Sequence, residues 1–307
     1  MSNLSQYGIP PGLPPNVKPL PAGFEAGAAN EWIFFFVCGA AVVIFALPWA
    51  LKAAAKKNYI PLLVMLSGLI CSLEEAMLDM LGHLHWADDL IPVYTNFGIT
   101  VPLLIPLCYV AFLGLQSYFC YFVIRNGATF KHFVLLLAMG GILDAIMETI
   151  GINLNVYEYY GIQPFTLFGF PYWWAFINSA SFVTVGCILA YAVPRLTGWK
   201  QLLILLAAPY GMAMTYFTVG WIHILAHNSG LPEWARWGAA AIMMIECVFY
   251  MKLLHYLFGA KDKEPTANWT LMRMLQYTMI PSAARNRLWQ KMAEEGGLPK
   301  DRHTAAY

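Results

Sequence analysis

Carboxylates and histidines recur at four-residue intervals inside apolar stretches of this chain. The stretch SLEEAMLDMLGHLHWADD places Glu75, Asp79 and His83 at i, i+4 and i+8. At a helical advance of ~100° per residue these three fall within an arc of about 80°, on one face. Glu74 points elsewhere. LDAIMETIG repeats the pattern with Asp144 and Glu148, and Gly140 and Gly151 share their face, leaving room for a neighbouring helix or ligand to approach. GWIHILAHNSG carries His223 and His227 at the same interval, with Tyr216 and Gly220 on the same side. PYWWAFINSAS lines one face with Trp174, Asn178 and Ser181. Asn96 and Thr100 add polar groups, and Glu246 sits nearer mid-membrane.

Carboxylates at one depth in a dry bundle repel if all are ionised, so at least one is expected to hold its proton near neutral pH. A protonated acid in an aromatic cavity suits protonation of a carbon–carbon double bond. Trp86, Trp173, Trp174, Trp221, Tyr157 and Tyr160 are then candidate cation–π walls for the carbocation. In this reading Asp144 and Glu148 are the acid/base pair, and Asp79 and Glu75 tune or share the proton. His83, His223 and His227 position water or substrate, together with Tyr157, Tyr159, Trp173, Trp174, Asn178 and Trp221. The reaction class is redox-neutral hydration, cyclisation or isomerisation of an isoprenoid lipid entering from the bilayer, with no cofactor. No nucleotide-binding glycine motif is present.

The same residues allow a metal site instead. HxxxH at 223 and 227 presents two imidazoles on one helical face, and His83 or Asp79 completes a set for zinc or iron in a lipid hydrolase or oxidase. A third reading is proton-coupled transport through buried acids. No inverted repeat supports it.

Elements that could position these groups follow from composition. Of 307 residues, 59% are hydrophobic and 11% charged, against about 25% charged in a soluble domain. The net charge of +1 points to no nucleic-acid partner. The chain therefore reads as an all-α, polytopic membrane bundle. Seven stretches approach the ~20 apolar residues a span needs: 32–51, 60–81, 97–124 (kinked by Pro102 and Pro106), 132–152, 171–193, 201–225 and 234–258. Residues 1–30 form a Pro-rich lead-in without signal-peptide character, and 31–259 the membrane domain. Residues 260–307 form a basic amphipathic tail, with Trp289 and Met292 laid on the membrane surface, Ser282 as a helix cap and Gly296 as its stop.

Lysine and arginine set the orientation. They gather in the first, third and fifth loops and in the tail, and are absent from loops 82–96 and 153–170. The N-terminus is then outside and the C-terminus cytoplasmic, in the plasma membrane. The polar residues converge on the outer half, beneath two aromatic, acidic loops. Six cysteines, without a CxxC pair, read as small buried hydrophobes.

Residues 147–178, METIGINLNVYEYYGIQPFTLFGFPYWWAFIN, resemble the bacterial carotenoid hydratase family, polytopic membrane proteins that add water to carotenoid ends. The shared features are Glu148-x-x-Gly151, Tyr157-x-Tyr159 and Gly169-x-Pro171. The resemblance implies isoprenoid chemistry at this end of the bundle. HxxxH with an upstream His is similar to alkaline-ceramidase-like membrane zinc hydrolases, with Asp79 standing where that family has Ser.

Overall fold

In the computed structural model, residues 23–302 are described, so most of the Pro-rich lead-in lies outside the described residues. Six helices are long and apolar enough to span a bilayer: α1 (Ala28–Ala55), α2 (Ile60–Gly82), α3 (Leu104–Arg125), α4 (Phe130–Asn153), α5 (Trp173–Ala192) and α8 (Glu233–Phe258). The stretch expected to be a sixth continuous span is broken. It consists of α6 (Gly198–Tyr216) and α7 (Trp221–His227), bent by 63° across the intervening residues. Among the described residues there are thus six such helices, or seven candidate spans with the bent pair counted as one.

Helix starts follow local chemistry. Pro61 lies in the first turn of α2, where a missing N–H costs nothing. Thr129 and His132 cap α4 reciprocally, the Thr129 N–H donating to His132 Nδ1 at 3.1 Å. Helix α5 is buried on nearly every side, its few polar side chains hydrogen-bonded within the bundle, and touches α3, α4, α6 and α8. Helix α1 is peripheral: Trp32, Ile33, Phe36 and Val37 are exposed, while Phe34 and Cys38 face inward.

The chain is not purely helical. Three short antiparallel pairs gather in the loops: β1 (Leu84–Trp86) with β4 (Tyr157–Tyr159), β2 (Pro92–Asn96) with β3 (Ile99–Pro102), and β5 (Thr166–Leu167) with β6 (Phe170–Pro171). Phe97 and Gly98 turn the β2–β3 hairpin with positive φ. Residues 97–102 therefore do not begin a span, and Pro102 ends a strand instead of kinking a helix. Helix α3 continues through Pro106; its irregularity is a π-helical stretch at Val110–Gln116. A second π-helical stretch, Val42–Ala46, interrupts α1.

The tail is turned differently from expectation. Helices α9 (Leu271–Met279) and α10 (Ser282–Glu295) fold back onto the bundle. Trp289 and Met292 are fully buried against protein, not lipid, with Trp289 edge-on to Phe122 at 4.8 Å. The N-cap of α10 is Pro281 and Ser282 is its first residue; Gly296 is its C-cap, as expected. All six cysteines are buried and free.

Candidate functional site

A cavity of about 120 Å³ lies against the β1–β4 pair, several times the space one water needs. Two helices deliver its carboxyls. Helix α4 presents Asp144, Met147 and Glu148 at i, i+3 and i+4, and α2 presents Glu75, Leu78 and Asp79 at the same spacing. Asp79, Asp144 and Glu75 are buried, and Glu148 is half-buried.

The roof comes from strand periodicity. Alternate residues of a strand share a face, so Leu84 and Trp86 of β1 and Tyr157 and Tyr159 of β4 all line the cavity. Pairing of Trp86 with Tyr157 and of Leu84 with Tyr159 sets the register. The Trp86 and Tyr157 rings meet at 4.9 Å. Residue 151 must be glycine for this: a Cβ there would fall 2.5 Å from the Tyr157 ring. The two aromatic loops thus pair with each other over the acids.

Each carboxyl has a neutral hydrogen-bond donor. Trp86 Nε1 donates to Asp79 Oδ2 at 2.8 Å and Tyr159 donates to Glu148 Oε2 at 2.9 Å. Asn178 Nδ2 donates to Asp144 Oδ2 at 3.0 Å, and Tyr109 donates to Glu75 Oε2. Tyr216 donates to Asn178 Oδ1, which fixes the amide so that its NH₂ faces Asp144. Burial, and then the neighbouring Glu148, hold the Tyr157 and Tyr159 phenols well above the usual range, so both remain donors at any physiological pH. Among the described residues, no Lys, Arg or His lines the cavity. Phe34, Phe112, Trp174 and Tyr216 complete its aromatic wall.

Of the residues expected from sequence, Glu75, Asp79, Asp144, Glu148, Tyr157, Tyr159, Trp174 and Asn178 meet here, and so do Ser181 and Trp86. The histidines do not. His83 leaves the helical stripe because it ends α2 in the left-handed region, φ 58°. It donates through Nε2 to Asn228 Oδ1 at 3.2 Å, stacks on Tyr160 and meets the His227 ring at 4.1 Å. His223 sits edge-on to Trp173 at 4.3 Å. Trp173 packs behind Trp174 and does not line the cavity. Buried Arg236 near this second cluster donates to the Ser229 and Leu231 carbonyls.

The set of His83, His223, His227 and Asp79 is thus divided, with Asp79 turned to Trp86. Among the described residues, no group of three His, Cys, Asp or Glu is arranged to hold a metal ion. Trp221 is 39% exposed and packs on Phe217. Asn96 and Thr100 are exposed in the β2–β3 hairpin, and Glu246 is exposed on α8, all apart from the cavity. The break after Tyr216 separates it from His223, so Tyr216 joins the carboxyls, contrary to its helical spacing.

Sequence reasoning missed Tyr109, Phe34, Cys38, Cys108 and Phe112. Their stretches are uniformly apolar, and no periodicity marks an inward face. Comparison with protein-family models, with curated proteins and with solved structures returns no match.

Proposed function

We propose that the chain is a redox-neutral intramembrane enzyme that protonates a carbon–carbon double bond of an isoprenoid lipid. The observation that carries this reading is the convergence of four carboxyls from two helices on one aromatic cavity without a cationic side chain among its described lining residues. Like charges this close disfavour full ionisation, so one carboxyl is held as the acid. Glu148 is the proton donor, with Asp144 beside it as the base and Glu75 and Asp79 sharing the proton load.

The alkene π electrons take the proton from the acid, leaving a carboxylate and a carbocation. Trp86, Trp174 and Tyr157 face that cation with their rings. The cation is discharged by water, by a second alkene of the same chain, or by loss of a proton to a carboxylate. These routes give hydration, cyclisation or isomerisation, and each returns the proton balance to zero without a cofactor. The lipid comes from the bilayer, and the hairpin end faces the outside of the plasma membrane, following the distribution of Lys and Arg.

Mass spectrometry of the lipid copurifying with the protein tests the substrate class. An isoprenoid supports the reading; a sphingolipid favours a hydrolase instead. The metal-dependent alternative would rest on the histidine cluster and predicts stoichiometric zinc or iron, lost on His223→Ala.

A further inference from the structure

The carboxyl cavity has one wall built unlike the others. Helix α1 contributes only Phe34 and Cys38 to the lining, and most of its surface faces away from the bundle. The facing residues, Ile105 and Cys108, belong to α3. Cys38 and Cys108 are both buried, both line the cavity, and both belong to one apolar cluster across this seam. Contact continues one residue further, where a Cβ on Gly39 would fall 2.7 Å from Leu107 Cδ1.

Both helices change geometry just past the thiols. The π-helical stretch of α1 begins at Val42 and that of α3 at Val110, and these two valines share a small cluster with Ala50 and Met65. Mid-helix π segments are weak points of the ladder and concentrate at functional positions. The other end of α1 is held differently. Asp89 accepts from the Ala26 and Gly27 N–H groups, both at 2.8 Å, and Glu31 accepts from the Ile91 N–H at 2.7 Å. Helix α1 is thus tied to the loop before β2 by two carboxylates, packed against α3 around Cys38 and Cys108, and jointed below them.

We infer that α1 is a lateral gate, and that an apolar chain dissolved in the bilayer enters the carboxyl cavity between α1 and α3 by parting Cys38 from Cys108. This rests on the isoprenoid reading of the cavity. Since α1 supplies no carboxyl to the cavity, it can move without displacing the four acids.

Dibromobimane tests the gate on the full chain in lipid nanodiscs. Each thiol displaces one bromide, so bridging adds one bimane with loss of two HBr and joins the peptides bearing Cys38 and Cys108. Loading is read with retinol as probe, from donor vesicles, by energy transfer from tryptophan. The expected result is bridging in the wild type but not in Cys38→Ser or Cys108→Ser. Retinol uptake should slow at least tenfold in the bridged protein, and monobromobimane, which adds to the same thiols without joining the helices, should slow it less. Uptake by the bridged protein at the unbridged rate overturns the gate alone, as does failure of the pair to bridge. Absence of uptake in every form counts against the isoprenoid reading, and the gate falls with it.

Discussion

Glu148 and Asp144 sit one helical turn apart with separate donors, Tyr159 and Asn178. The arrangement gives each a different task. Glu148→Gln keeps the shape and the Tyr159 contact but has no acidic proton to transfer. Turnover should fall by ~10²–10⁴-fold, the usual worth of a general acid, with binding of the lipid retained in an equilibrium assay. Gly82→Ala probes the wall instead of the acids. A Cβ there would fall 1.9 Å from Trp174 Cζ2, so the indole must leave its place. Overpacking of this kind costs about 1–3 kcal/mol, visible as a lower thermal midpoint. The carboxyls were legible in sequence because i, i+4 spacing survives wherever a helix is regular. His83 was not, because a left-handed residue ends α2 just before the stripe would have continued, and nothing in GHLHW announces it.

Regular helix is also where element boundaries could be read. The limits of α2, α4 and α8 lie within two residues of those inferred from hydropathy, since Lys, Asn, Gly and Pro punctuate their ends. The hairpins were hidden: PVYTNFGITVP looks like the approach to a span until Phe97 and Gly98 turn it with positive φ. The break in the sixth segment is equally silent, because TVG within an apolar run costs a membrane helix little in hydropathy. At this scale the latch on α1 is pH-dependent. The Ala26 and Gly27 N–H groups hold the Asp89 carboxyl below its usual range. A lowered value means that the contact is present above the ordinary carboxylate pKa and is lost as pH falls through the folded value, below about 4. The nearby groups are Glu31, Asp88 and His85, the last 3.8 Å from Asp88. Asp89→Asn, which removes the charge at every pH, should therefore accelerate bimane labelling of Cys38 at neutral pH, where thiolate is available. A labelling rate unchanged in the variant contradicts the latch.

The whole molecule binds its tail into the same core as its spans. Trp269, Tyr277 and Trp289 pack with Phe119 and Phe122 of α3. The amphipathic pattern of the tail was plain in sequence, but a pattern does not say whether lipid or protein covers the apolar face. Trp289→Ala removes a fully buried ring and should cost about 3–5 kcal/mol, seen as a lower midpoint of detergent-solubilised unfolding. A tail merely resting on lipid would leave the midpoint unmoved. One end of the bundle pairs two aromatic loops over four acids, and a folded tail packs against the core elsewhere. That asymmetry is what the proposed chemistry needs: a roofed acid site that a lipid would enter from the side, past α1. Solvent deuterium tests it most directly. Protein in nanodiscs is incubated in D₂O with a panel of acyclic isoprenoids, and the lipids are analysed by mass spectrometry. Carbon-bound deuterium is expected in a hydrated, cyclised or isomerised product of the wild type, and its loss in Glu148→Gln. Deuterium incorporation undiminished in Glu148→Gln, or no covalent change in any isoprenoid with the wild type, would contradict it.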